Sequence, residues 1–200
     1  MSRIPIFLFL TLLIFPANVK AGEMREIGED TALLIIDVQD FYFPGGKLPL
    51  VEPETAAANA ARVLEFFRKE GRQIIHVRHN FEPGGSINNQ VAPVPGEKVI
   101  AKDFANSFRD TELDAYLEEN GIQQLVICGM QTHMCVEAAT RAASDMGYDC
   151  VVIHDACATR DLDFEGKVIP AAEVHASTLA SLGGGYAVVL STDEFFESHE

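Results

Sequence analysis

Apolar positions in this chain come in two rhythms, and their alternation organises the rest. Residues 31–38, Thr-Ala-Leu-Leu-Ile-Ile-Asp-Val, are apolar almost without a break, the pattern of a strand buried on both faces. From 53 to 69 the period changes. Ala56, Ala60, Val63, Leu64 and Phe67 recur at three- and four-residue steps and predict an amphipathic helix that Gly71 ends. Strands are then predicted over 73–77, 99–101, 125–128, 150–153 and 187–190. Between them lie helices over 111–120, closed by Gly121, from 137 to near Gly147, and over 171–182. Strands alternating with helices imply an α/β domain whose six-stranded sheet is mostly parallel.

In such sheets ligands sit beyond the carboxyl ends of the strands. The residues expected there are Asp37, Arg78-His79-Asn80, Lys102-Asp103, Gly129 to Cys135, and His154-Asp155. No G-x-G-x-x-G follows the first strand and no G-x-x-x-x-G-K-[ST] occurs, so no nucleotide cofactor is indicated and none is expected. Residues 82–96 form a Pro/Gly/Asn-rich loop that reads as a lid or wall rather than as an element of its own.

Ahead of the first strand the material differs. Arg3, the apolar stretch from Ile4 to Pro16 and the small-residue site Val19-Lys20-Ala21 have the layout of a secretory signal peptide at 1–21, cleaved after Ala21. Residues 22–200 then form a single domain, periplasmic or secreted. The alternatives are an uncleaved anchor and a cytoplasmic protein that starts at Met24. The mature chain is expected to keep no membrane anchor. A net charge of −15 argues against nucleic acid, whose binders carry basic patches. The four cysteines, Cys128, Cys135, Cys150 and Cys157, match no zinc spacing, and a Cys128–Cys150 bridge is possible but not favoured.

One stretch carries candidate chemistry. Gly129-Met130-Gln131-Thr132-His133-Met134-Cys135-Val136 joins a strand to an Ala-rich helix and puts Cys135 at or near a helix N-terminus. A free thiol has a pKa of about 8.5, and helix N-termini and neighbouring cations bring it to roughly 3.5–7.5, so a thiolate nucleophile is expected. A Cys is also often only a small buried hydrophobe. Asp37 and Lys102 end two other strands and are expected at the same edge. Lys102 as ammonium would stabilise the thiolate, Asp37 would move its proton, and the loop's N–H groups would hold an oxyanion. A purely structural Asp37–Lys102 ion pair is the alternative.

Several segments together resemble the isochorismatase-like cysteine hydrolases, a group related to the nicotinamidases. They are Leu-Ile-Ile-Asp37-Val-Gln39-Asp-Phe41, Lys102 with Asn106-Ser107-Phe108 and Thr111-x-Leu113, Gly129-Met130-Gln131-Thr132-x-x-Cys135-Val136, Asp155-Ala156 and Glu173-x-His175. The likeness runs over about residues 30–197 and is specific in combination. It implies a Rossmann-like three-layer fold, with Asp37 as acid/base, Lys102 as cationic partner and Cys135 as nucleophile. It also implies a cis peptide between Met130 and Gln131 that turns the N–H groups of Gln131 and Cys135 toward one oxyanion. Relatives are usually homo-oligomers, so a homo-oligomer is expected.

The chain departs from the nicotinamidase pattern at the metal. Arg78 and Asn80 stand where ligands should be and leave His79 alone, so no catalytic metal is expected. By the resemblance, isochorismatases proper cleave a vinyl ether, some of them without the Cys, so the intact Cys135 favours C–N hydrolysis of a small carboxamide through a thioester. A vinyl-ether hydrolase and a ligand-binding or redox protein on the same fold remain open. Phe41, Phe43, Phe104 and His79 are the expected substrate contacts; Arg78 and Arg109 are expected to make surface ion pairs, the alternative being that they meet a substrate carboxylate.

Overall fold

The computed structural model describes residues 25–199, so the 1–21 leader and the alternative start at Met24 lie outside the described residues. The sheet is built outward from β1 (Thr31–Ile36), whose six residues are all buried. Fully covering side chains such as Leu33, Leu34 and Ile36 stabilises the fold by roughly 1.5–3 kcal/mol each, which fixes this strand at the centre. Around it lie β2 (Gln73–His79), β3 (Lys98–Lys102), β4 (Gln124–Met130), β5 (Asp149–Ala158) and β8 (Val188–Leu190), in the order β3-β2-β1-β4-β5-β8. Every neighbouring pair in this six-stranded sheet is parallel.

The strand order reverses between β1 and β4, and this decides the layers. The connection from β1 to β2 runs through α1 (Pro53–Lys69) in one direction across the sheet. Those from β4 to β5 and on to β8 run the other way, through α3 (Glu137–Met146) and α4 (Ala171–Gly183). Right-handed crossovers of opposite travel put their helices on opposite faces. Accordingly α3 packs on α4, while α5 (Thr192–Glu197) packs on α1. The result is the expected three-layer α/β fold, and the reversal between β1 and β4 is where sheets of this kind place a ligand crevice.

Local chemistry explains the boundaries. Pro53 opens α1 at a position where its missing N–H is not needed, and Arg68 and Lys69 sit in the last turn near the negative end of the helix dipole. The observed helix has the predicted bounds of 53–69. The 111–120 helix is shorter, α2 (Leu113–Glu119); the strands predicted over 73–77, 99–101, 125–128 and 150–153 gain residues at their ends, while the first stops at Ile36 rather than Val38 and the last starts at Val188 rather than Ala187.

Three features differ from the expectations. After Ile127 the β4–β5 register shifts, and β5 pairs again at Gly129↔Cys157 and Met130↔Ala158. His154 and Asp155 therefore lie within β5, not past its end. A two-stranded hairpin, β6 (Leu162–Phe164) and β7 (Lys167–Ile169), was not foreseen; its turn residues Glu165 and Gly166 both have positive φ, 52° and 77°, as a tight hairpin turn requires. Nor was α5, which begins with a capping box between Ser191 and Glu194 and buries Phe195 against Phe66 and Phe67. Asp155 Oδ1 accepts hydrogen bonds from the Thr192 backbone N–H (2.8 Å) and hydroxyl (2.7 Å), so the bulged stretch of β5 anchors this last helix.

Candidate active site

Three chain segments converge over the β1/β4 crevice. Asp37 follows β1 in the left-handed region (φ 52°), a conformation Asp adopts more readily than most residues, with its N–H donated to Val77 O at 2.9 Å. Lys102 is the last residue of β3, two strands from β1, and its side chain is long enough to span the gap. Cys135 sits in a single π turn, Thr132–Val136, between β4 and α3. Such turns inside or beside α-helices are frequent at functional sites.

Lys102 Nζ stands 2.7 Å from Asp37 Oδ2 and 3.3 Å from Cys135 Sγ. It also donates to Phe104 O at 3.0 Å and lies 3.3 Å from His79 Nδ1. Asp37, Lys102 and Cys135 are 0, 1 and 4% exposed, so the pair and the thiol interact with little screening by water. Asp37 Oδ1 is buried and has no hydrogen-bond partner of its own among the described residues. It is the open acceptor of the group.

Electrostatics departs from the expectation in one respect. Burial pushes the Cys135 thiol up to about 12; the Asp37 carboxylate adds to this and Lys102 opposes it. The thiolate expected from the helix terminus and the lysine is therefore not the resting form, because the desolvation of a 4%-exposed sulfur outweighs both. Burial also raises Asp37 above the ordinary carboxylate value, against the pull of Lys102. The arrangement is a protonated thiol beside a strengthened base, with a cation between them.

A second ring of side chains holds these three. Gln39, fully buried, accepts from His79 N (2.8 Å) and donates to His79 O (2.9 Å) and Gly85 O (2.7 Å). It thereby ties the end of β2 to the 82–96 loop. Tyr42 Oη accepts from Gln131 Nε2 (3.2 Å), and Arg160 Nε donates to Gln131 Oε1 (3.2 Å). Burial raises the Tyr42 phenol's pKa, so it stays protonated. The Met130–Gln131 peptide is cis, and Gly129 before it has φ 130° with the Ile36 carbonyl against its α-carbon, leaving no space for a side chain.

The remaining expected residues are placed as follows. Phe41 is buried and packs on the rings of Tyr42 and Phe81, with centroids 4.1 and 4.4 Å away. Phe43 is buried in the same core. Phe104 is 36% exposed, with the Arg109 guanidinium 3.7 Å over its ring. His79 is half-buried beside Lys102, and Asn80 Nδ2 donates to Asp103 Oδ1 at 2.9 Å. All four cysteines are free. Gln39 stood in the sequence as the third residue of the D-x-Q segment and was given no role there. Tyr42 was hidden between two phenylalanines, and Arg160 had no local signal beyond following a strand.

A parallel sheet between two helix layers, with a buried thiol, lysine and carboxylate at its switch point, is an arrangement suited to cysteine-based chemistry. Comparison with known proteins agrees. An Isochorismatase domain model matches residues 31–193. The isochorismatase family protein YddQ of Bacillus subtilis is 45% identical over 178 residues, covering 84% of this chain and 99% of that protein. The crystal structure of an isochorismatase hydrolase from Oleispira antarctica aligns with a TM-score of 0.81 at 46% identity, covering 86% of this chain and 98% of that one. The maleamate amidohydrolase of Pseudomonas putida is 28% identical over 169 residues, covering 71% and 78%. Similarity extends to a streptothricin hydrolase of Streptomyces noursei (33%, covering 66% of this chain and 50% of that one). It also reaches a ureidoacrylate amidohydrolase of Azorhizobium caulinodans (26%, covering 64% and 76%). The chain belongs to the isochorismatase-like cysteine hydrolase family.

Proposed function

We propose that this hydrolase cleaves the C–N bond of a small carboxamide, with Cys135 as nucleophile, Asp37 as acid and base, and Lys102 as the cation between them. The observation that carries this is the Lys102 ammonium at hydrogen-bond distance from both the carboxylate and the sulfur, sealed from water. In the first half of the cycle Sγ bonds to the amide carbon as its proton passes to Asp37. The oxyanion is received by the N–H groups of Gln131 and Cys135. Collapse breaks the C–N bond, and the amine or ammonia leaves with the proton Asp37 held. In the second half a water gives a proton to Asp37 and attacks the thioester. The acid departs, and the proton returns to Cys135. The raised pKa of Asp37 supports this reading, since a stronger base takes the thiol proton more readily.

The named amidohydrolases among the relatives support the amide class. Arg160 supports a further restriction. Its Nε is fixed on Gln131 beside the proposed nucleophile's loop, while the rest of its exposed guanidinium is free to meet an acidic group on the substrate. The test is a panel of small carboxamides, with and without a carboxylate, read by ammonia release from the wild type and Cys135→Ala. Release that vanishes in the variant is expected. Pyruvate from isochorismate with no ammonia from any amide overturns the proposal in favour of vinyl-ether hydrolysis.

A further inference from the structure

The Glu173-x-His175 segment takes no part in the cycle above, yet the fold brings it to the nucleophile's turn. His175 lies in the second turn of α4, and its Nδ1 is 2.9 Å from the hydroxyl of Thr132, the first residue of the turn that carries Cys135. Thr132 is 0% exposed, and among the described residues His175 is the hydrogen-bond partner its hydroxyl has. The next residue repeats the device in mirror form: His133 Nδ1 lies 2.6 Å from the hydroxyl of Thr159, just past β5. Two imidazole–hydroxyl pairs thus tie the first two residues of a five-residue turn to α4 and to the end of β5. His175 also borders a cavity of about 310 Å³ between the starts of α1 and α4 and the end of β5, so its outer edge is not packed solid.

We infer that His175 is a positioning residue for Cys135, holding the π turn through Thr132 so that Sγ stays within reach of Lys102. The inference rests on the reading of Cys135 as nucleophile. A π turn closes wider rings than an α-helix and reverts readily to α-geometry unless something outside it fixes its ends. The Thr132 hydroxyl, sealed from water, has to be satisfied by side chain or backbone, and the imidazole does so from a separate helix. Burial lowers the pKa of His175, with His154 adding to the effect and Asp155 opposing it, so the ring is a neutral partner at neutral pH. Released from His175, the turn lets Sγ withdraw from the ammonium 3.3 Å away, and the sulfur then becomes less reactive.

The experiment measures the rate of Cys135 alkylation by iodoacetamide at pH 8, located by mass spectrometry, together with the thermal midpoint. It compares the wild type, His175→Ala and His175→Asn, the last of which keeps a polar atom near the Nδ1 position. The expected result is a tenfold or greater loss of rate in His175→Ala and a rate within about twofold of wild type in His175→Asn. An unchanged or faster rate in His175→Ala overturns the inference while leaving the nucleophile reading intact. Equal losses in both variants, matched by equal falls in midpoint, also overturn it and assign His175 a purely structural part. A Cys135 inert to iodoacetamide in the wild type, at pH 8 and in a repeat at pH 10, brings down the nucleophile reading and this inference together.

Discussion

Replacing Asp37 by Asn should make Cys135 more reactive and the enzyme inactive. Asp37 Oδ2 and Cys135 Sγ both touch Lys102 Nζ, at 2.7 and 3.3 Å, and so stand no more than about 6 Å apart. Two negative charges at that separation repel by about 3 kcal/mol at an effective dielectric near 20, roughly a hundredfold in the thiol's proton equilibrium. Asp37→Asn removes that repulsion. The less basic thiolate is also a weaker nucleophile, so iodoacetamide alkylation at pH 8 should rise by about tenfold rather than a hundredfold. Lys102→Met works in the opposite direction. An attraction of about 5 kcal/mol at 3.3 Å is lost, and alkylation should fall roughly seventyfold. Ammonia release should vanish in both, because the first lacks the base and the second lacks the cation. The assay is the alkylation rate of Cys135 followed by mass spectrometry, beside turnover on the amide that responds in the panel. Turnover that survives Asp37→Asn refutes the assignment of Asp37 as the proton acceptor, and slower alkylation in that variant refutes the charge repulsion worked out above.

Three other predictions concern stability and recognition. Glu97 accepts from Arg68 through both oxygens, at 2.7 and 3.0 Å, and meets His76 Nε2 and Val94 N at 2.9 Å, which holds its pKa at about 2, below the ordinary 4.5. A depressed carboxylate stabilises the fold fully above its unfolded value and loses that contribution as the pH falls through its folded value. The wild type should therefore weaken between about pH 4.5 and 2, and Glu97→Gln should cost about 2–3 kcal/mol at pH 7 with a flatter acid limb in denaturant titrations. Gly129→Ala drives a methyl group into the Ile36 carbonyl at φ 130°; a loss of roughly 2–5 kcal/mol is expected in urea unfolding, and a midpoint equal to wild type would contradict the close approach. Arg160→Gln should raise KM at least about tenfold more for acidic amides than for neutral ones; equal effects on both classes would remove Arg160 from substrate recognition.

Much of the fold was legible because its signals are local. The unbroken apolar run at 31–36 and the period of Ala56, Ala60, Val63, Leu64 and Phe67 owe little to distant partners. The extension of β5 was not legible, since it depends on a register shift against Gly129 and Met130 that no window of sequence contains. The hairpin and α5 were short enough to escape periodicity, though Glu165-Gly166 and the Ser191–Glu194 box were visible signals. At the site, Asp37, Lys102 and Cys135 could be grouped because each follows a strand. The acidity of the thiol could not, because a helix start and a lysine can be read along a chain and the burial of a sulfur cannot. Gln39, Tyr42, Arg160 and His175 acquire meaning only through partners 29 to 89 residues away.

The position of Lys102 carries a consequence for how the molecule must fold. Its strand, β3, is the outermost of the sheet and is paired on one side alone, to β2 with His79 opposite Lys102. Side chains alternate across a strand, so a slip of one residue would send the ammonium to the wrong face and bring Ala101 to the crevice. Edge strands slip more easily than central ones, having half the pairing. Glu97 is the residue immediately before β3, and its clasp on Arg68 of α1 and His76 of β2 fixes where the strand begins. A largely buried cluster at the opposite end of β3 from Lys102 thus serves as the ruler that measures five residues to the cation, and errors made there would surface as lost chemistry in a protein that still looks folded.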